Sequence, residues 1–287
     1  MSSRENEPTS APAAVARIRD RLARLPGVTG VVLGGSHARG AARPDSDLDI
    51  GLYYDPAARP GFDLVLAAAA ELDDHGAPLG HGAYGEWGPW INGGVWLIVD
   101  GTKTDILLRD HDRVDTVLRQ AAEGTITVDH QPGHPHGFVS TIYAGEVRHN
   151  VPLHDPRGRL AASRALVDPY PAALREAVEG RFGWEAGFSL ANAGSPARRG
   201  DITQVTGLLY QAVACMNQVV FARNGRFVVN EKGATAEADA LPVRPERYRE
   251  RIEAALGGLS TDPSVLTAAV DALRAVHDDL SQGAASR

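Results

Sequence analysis

Residues 31–54 read VVLGGSHARGAARPDSDLDIGLYY. Val31 to Leu33 form a short apolar run of strand type, and Gly34-Gly35-Ser36 is a turn. After a small polar connector, a second strand carries Asp47 and Asp49. Side chains two apart on a strand share a face, so the two carboxylates stand side by side while Leu48 and Ile50 turn towards a core. Glycines let backbone N–H groups approach an anion, and paired carboxylates are hard oxygen donors. Together they describe a site for phosphate and a divalent metal.

The chain on either side supports a mixed α/β setting. Residues 14–25, AVARIRDRLARL, space their apolar residues three and four apart, which predicts a first amphipathic helix ending at Pro26-Gly27. Residues 1–13 are polar and carry prolines, as a disordered tail does, and lack the basic start and apolar stretch of a signal peptide. Beyond the carboxylates, a helix is predicted over Phe62–Leu72. Strands follow at Gly94–Val99 and Lys103–Leu108 around an Asp100-Gly101 turn, and then a helix over 111–123. QPGHPHG at 131–137 reads as a loop. From about residue 138 the pattern turns helical and stays so. Its clearest runs are Ile202–Phe221, with Asp201 as N-cap, and the one opened by Asp262-Pro263. The expected organisation is an α/β (α+β) domain with a mixed sheet over 14–150 and an all-α helical bundle over 151–287.

Composition excludes several classes. Hydrophobic residues make up 43% of the 287, enough for a buried core. A net charge of −7 argues against a broad nucleic-acid surface and favours a small or cationic partner. The single Cys215 rules out an internal disulfide and suits a reducing cytoplasm. No stretch reads as a membrane span.

A metal site of this kind needs a third acid on a neighbouring strand. Asp105, a charge inside the otherwise apolar KTDILL, is the candidate, because an unpartnered carboxylate there would be costly. Gly34-Gly35-Ser36, then Asp47-Leu48-Asp49, then Asp105 on a later strand resembles the nucleotidyltransferase superfamily with the polymerase-beta-like fold. Within it, GGSHARGAARPDSDLDI is similar to the aminoglycoside nucleotidyltransferases, and LHDPRG at 153–158 and NGRFVVNEKGA at 224–234 extend the likeness more weakly.

The resemblance implies two Mg2+ ions, ATP as donor, and transfer of AMP to a hydroxyl of a small molecule, here an aminoglycoside-like antibiotic. Asp47, Asp49 and Asp105 would bind metal, with Asp105 alternatively the base. Gly34, Gly35 and Ser36 would hold the triphosphate, and Lys232 would reach the nucleotide phosphates. A cytoplasmic monomer or homodimer with no membrane partner is expected. GEWGPWINGGVW at 85–96 matches no pattern of that group, so the acceptor is not given by it.

Each candidate has a plainer alternative. Ser36 can be a helix N-cap, Ser46 a turn residue rather than a nucleotide contact, Arg39 a solvated helix residue rather than a triphosphate partner, and Lys232 a surface lysine. Trp87 and Trp90 are candidates to line a substrate pocket, whereas Trp96 is assigned to the core. His134 and His136 lack zinc-ligand spacing, and His37 reads as locally hydrogen-bonded. Cys215 reads as packing. The rival functions are AMP transfer to a protein hydroxyl and a catalytically silent nucleotide-binding regulator. A manganese glycosyltransferase would need a nucleotide-binding βαβ array ahead of the motif, and only about thirty residues precede the glycine turn.

Overall fold

The structure is a computed structural model that describes residues 13–40, 42–43 and 46–285. Residues 1–12 of the expected tail lie outside the described residues. The strands are β1 (Val28–Leu33), β2 (Leu48–Tyr54), β3 (Gly80–Gly82), β4 (Gly94–Val99), β5 (Thr102–Asp110), β6 (Val128–Gln131), β7 (His134–Val139) and β8 (Val151–His154). The helices of the first part are α1 (Ala13–Leu22), α2 (Gly35–Ala38), α3 (Phe62–Leu72), α4 (Gly88–Ile91) and α5 (His111–Ala122). Next come α6 (Ile142–His149), α7 (Arg159–Ala165), α8 (Ala172–Arg198) and α9 (Ile202–Arg223). The last three are α10 (Ala234–Asp239), α11 (Tyr248–Gly257) and α12 (Pro263–Ala285). The described residues form two compact units: those up to 116 with 149–163, and 117–148 with those from 164 onwards.

The first unit is a mixed sheet of order β3-β4-β5-β2-β1-β8. Only β2 and β5 run parallel; the other neighbours are antiparallel. Val31, Leu33, Leu48, Ile50, Leu52, Val95, Leu97, Val99, Ile106 and Leu108 pack with Val15, Ile18 and Leu22 of α1 and Val65, Ala68 and Leu72 of α3. The period-two pattern therefore buries one row of each central strand under two helices and leaves the alternate row for other work. The β4–β5 turn has positive φ at both Asp100 (49°) and Gly101 (75°), as the tight hairpin turn requires. Asp74 fastens this turn by accepting from the Asp100 and Gly101 N–H groups at 2.9 and 2.7 Å.

LHDPRG is not helical. It ends β8, an edge strand on β1, and Asp155 then accepts from the N–H groups of Leu160 and Ala161 at the start of α7. A polar knot that runs from buried His111 and Ser163 out to exposed Asp112 holds α7. Arg159 bridges Asp112 and Asp115, Ser163 donates to Asp115 at 2.5 Å, and the fully buried His111 ring meets Thr29 Oγ1 through Nδ1 at 2.7 Å. Burial, then the neighbouring Arg159 guanidinium, pushes the His111 imidazole down to about 4.

The second unit is helical apart from one hairpin. QPGHPHG is not a loop: β6 and β7 pair antiparallel around Pro132-Gly133, where φ at Gly133 is 87°. The prolines and glycines misled the sequence reading because they supply the turn, while His136 and Phe138 face inwards. The helical pattern therefore begins at α6 rather than at 138. The helix α9 starts where Asp201 caps it, accepting from Gln204 N–H at 3.1 Å. It is also long and apolar enough to cross a membrane by length and composition, contrary to the sequence reading. About 67% of that window is buried in protein, as in a core helix. Cys215 within it is fully buried, as expected of packing.

Candidate active site

One line of residues crosses the face of the first unit's sheet opposite α1 and α3. Asp49 of β2 lies opposite Asp105 of β5 in the parallel ladder, and Trp96 of β4 lies opposite Asp105 in the antiparallel one. Gly80 of β3 in turn lies opposite Trp96. Register thus brings together two acids that are 56 positions apart. Asp47 stands one residue before β2, not within it, and is exposed. Burial first, then the charges of Asp49 and Asp47, push the Asp105 carboxyl up to about 6. A hydrogen bond from the Trp96 indole and the charge of Lys103 pull the other way.

The glycine turn is built against Asp49. Gly34 N–H donates to the Asp49 carbonyl at 2.7 Å. Gly35 has φ +58°, and a Cβ there would lie 1.7 Å from Asp49 Oδ2, so only glycine fits. Ser36 lies in the first turn of the short α2, whose N-cap is Gly34 and not Ser36. Arg39 caps that helix and its Nε donates to the Gly35 carbonyl at 3.4 Å. Ser46 Oγ accepts from Arg43 N–H at 2.8 Å, and its carbonyl meets His37 Nε2 at 3.4 Å. Lys232 belongs to the second unit, where it is exposed in the turn before α10.

The tryptophans divide differently from the sequence reading. Trp96 is not core. It is 40% exposed and stacks on Trp87, ring centroids 4.6 Å apart and 22° between planes. Trp90 is buried, with the Arg113 guanidinium 4.4 Å over its ring. Trp96 was the residue the reading missed, although a signal was available. It alternates with Val95 and Leu97, which face the core, so it had to face the other way.

Among the described residues, no three histidines, cysteines or acids enclose an ion by themselves. Magnesium does not require a cage. It keeps several waters and takes phosphate oxygens, with one or two carboxylates from the protein. A desolvated Asp105 crowded by two like charges is a donor set that a cation would relieve, and its all-oxygen chemistry fits magnesium.

Residues 15–78 match the family model of the nucleotidyltransferase domain. The chain carries a nucleotidyltransferase domain. The matched stretch runs from α1 through α3 and holds the glycine turn, Asp47 and Asp49 of that domain; Asp105 and the tryptophans lie beyond it. No curated protein matches the sequence significantly. Among solved structures, a nucleotidyltransferase-like protein from Exiguobacterium sibiricum 255-15 aligns with a TM-score of 0.44 and 8% identity. The alignment covers 90% of this chain and 71% of that one. The matched domain supports nucleotidyl transfer in general, and Asp49 of β2 and Asp47 just before it lie within the matched stretch.

Proposed function

We propose that the chain transfers AMP from ATP to a hydroxyl of a small molecule, with an aminoglycoside-like antibiotic as acceptor. The observation that carries this reading is the register pairing of Asp49 with Asp105 directly beside the Gly34-Gly35 turn. Asp47, Asp49 and Asp105 would hold magnesium. When bound, magnesium offsets the charge on the triphosphate and on the departing pyrophosphate. The N–H groups of the turn and the Ser36 hydroxyl would receive phosphate oxygens. Asp105 is alternatively the base: without a metal on it, its carboxyl is raised to about 6, which would suit it to take the proton from the acceptor hydroxyl. The hydroxyl oxygen then bonds to the α-phosphorus as the bond to pyrophosphate breaks in line.

Calorimetry with a non-hydrolysable ATP analogue tests the site. Wild type should bind only with magnesium present, and a variant carrying Asp47→Asn and Asp49→Asn should not bind. Identical isotherms would sink the assignment. Pyrophosphate release screened across aminoglycosides, lincosamides and candidate proteins tests the acceptor. Release with proteins alone would move the acceptor to a protein hydroxyl.

A further inference from the structure

The loop between α9 and α10 ends in a clamp to which the transfer chemistry assigns no role. Residues 226–230 belong to no helix or strand, yet Phe227 and Val228 are buried. The loop runs against α6, since a Cβ on Gly145 would lie 2.7 Å from Val229 Cγ2 and 2.8 Å from Phe227 Cβ. Its upstream end is tied by Asn224, whose side chain bonds the Val243 N–H and carbonyl at 3.0 and 2.8 Å. Its downstream end is tied by Glu231. That side chain is only 16% exposed, and its Oε2 accepts from the His136 N–H of β7 at 3.0 Å and from the Tyr210 hydroxyl of α9. His136 is itself fixed to α9, its Nδ1 meeting Gln211 Oε1 at 3.0 Å. Glu231 Oε1 faces His134 Nδ1 at 3.5 Å. Taking a carboxylate out of water is costly unless donors meet it, so a glutamate gripped from a strand and a helix marks a point where the loop is kept in one place.

The residue after the clamp is Lys232. It is exposed, and its ammonium makes no hydrogen bond or ion pair among the described residues. Its backbone N–H donates to Asn230 Oδ1 at 2.9 Å, and Gly233 beyond it turns at φ 79° into α10. It is one of only two lysines among the chain's 29 basic residues, the rest being arginine. An ammonium with all three donors free suits phosphate oxygens as a compact point charge. We infer that Glu231 is a positioning residue for Lys232: the grip of His136 and Tyr210 on its carboxylate holds the loop so that the free ammonium is presented to a phosphate. The inference rests on the reading of the chain as binding a nucleoside triphosphate, with Lys232 among the phosphate contacts. Holding a contact in place before the ligand arrives spares the cost of ordering it at binding, roughly 2- to 10-fold in affinity per immobilised side chain.

The experiment is a double-mutant cycle on the full chain, read by calorimetry with magnesium and a non-hydrolysable ATP analogue, beside the melting temperature. Lys232→Ala should weaken binding by about tenfold. Glu231→Ala should weaken it by about fivefold in the wild-type background, and by less than about 1.5-fold where Lys232→Ala is already present, because the clamp then has nothing left to position. Removing a negative charge would by itself favour an anion, so a loss in Glu231→Ala cannot come from charge. Glu231→Gln keeps an oxygen for both donors and should stay within about twofold of wild type. A merely structural role gives the same loss in both backgrounds, and equal losses overturn the inference. So does wild-type affinity in Glu231→Ala. If Glu231→Ala melts too early to titrate, Tyr210→Phe, which keeps the ring and removes the hydroxyl, takes its place in the cycle and is judged by the same coupling. If wild type binds no analogue, the nucleotide reading falls, and this inference falls with it. If the variant carrying Asp47→Asn and Asp49→Asn loses binding while Lys232→Ala binds as wild type does, the nucleotide reading stands and the inference alone is refuted.

Discussion

Asp105→Asn should make the metal-free protein more stable at neutral pH. The native state holds the Asp105 proton up to about pH 6, against 3.8 for an ordinary aspartate. Between those values the folded chain binds more protons than the unfolded one, so stability falls as pH rises and the full cost is present above about 6. The gap is roughly two units, or about 3 kcal/mol at 1.36 kcal/mol per unit. Part of the carboxyl remains open to water, which reduces this to about 1–2 kcal/mol. Asparagine removes the charge and keeps an oxygen that can accept from Trp96. In EDTA at pH 7.5 the variant should melt a few degrees higher, at about 2–4 °C per kcal/mol. At pH 4 the gain should vanish, because wild-type Asp105 is then protonated. With magnesium and a nucleotide analogue the order should reverse, since only wild type gains from the cation. A neutral or destabilising substitution at pH 7.5, or a gain of the same size at pH 4, would refute the reasoning.

Other perturbations follow from the same geometry. Gly35→Ala combines a positive φ with a methyl placed on Asp49, so a loss of at least about 2 kcal/mol in chemical denaturation is expected; a variant with wild-type stability and activity would show that the turn is not built around Asp49. His111 is buried neutral with its imidazole pushed down to about 4, so the folded state binds fewer protons than the unfolded one. Its contribution is complete above about pH 6.5 and is lost as pH falls towards 4, roughly 2–3 kcal/mol in all. His111→Asn should therefore trail wild type at pH 7.5 and close that gap at pH 4.5, and a constant gap in urea melts would contradict the buried-neutral assignment. Gly82→Ala pushes a methyl into the Trp87 indole, which should shift the tryptophan emission maximum and lower the melting temperature; an unchanged spectrum would show that Gly82 does not make room for Trp87. Asp201→Ala removes the cap of α9 and should cost about 1 kcal/mol without changing nucleotide binding.

The sequence by itself determined the local pieces. Period-two alternation placed Leu48 and Ile50 in the core beside the acids, and Phe62–Leu72 is a helix with those bounds. The Asp100-Gly101 turn also contained more than was drawn from it. Residues equidistant from a two-residue turn face each other across the hairpin, so Trp96 opposite Asp105 was legible, yet Trp96 was assigned to the core because large aromatics usually pack there. Proline and glycine in 131–137 were read as loop because they mark turns, and nothing local told the hairpin's strands from coil. Only the tertiary structure decided that Asp49 meets Asp105. That pairing is between parallel strands separated in sequence by α3, β3, α4 and β4, so its register is set by how α1 and α3 pack on the sheet and by no pattern within either strand. The same fold makes Gly80, Gly82 and Gly94 the space that the stacked Trp87 and Trp96 occupy. A glycine shows that a side chain is missing, and the partner that needs the space is visible only once the strands are paired.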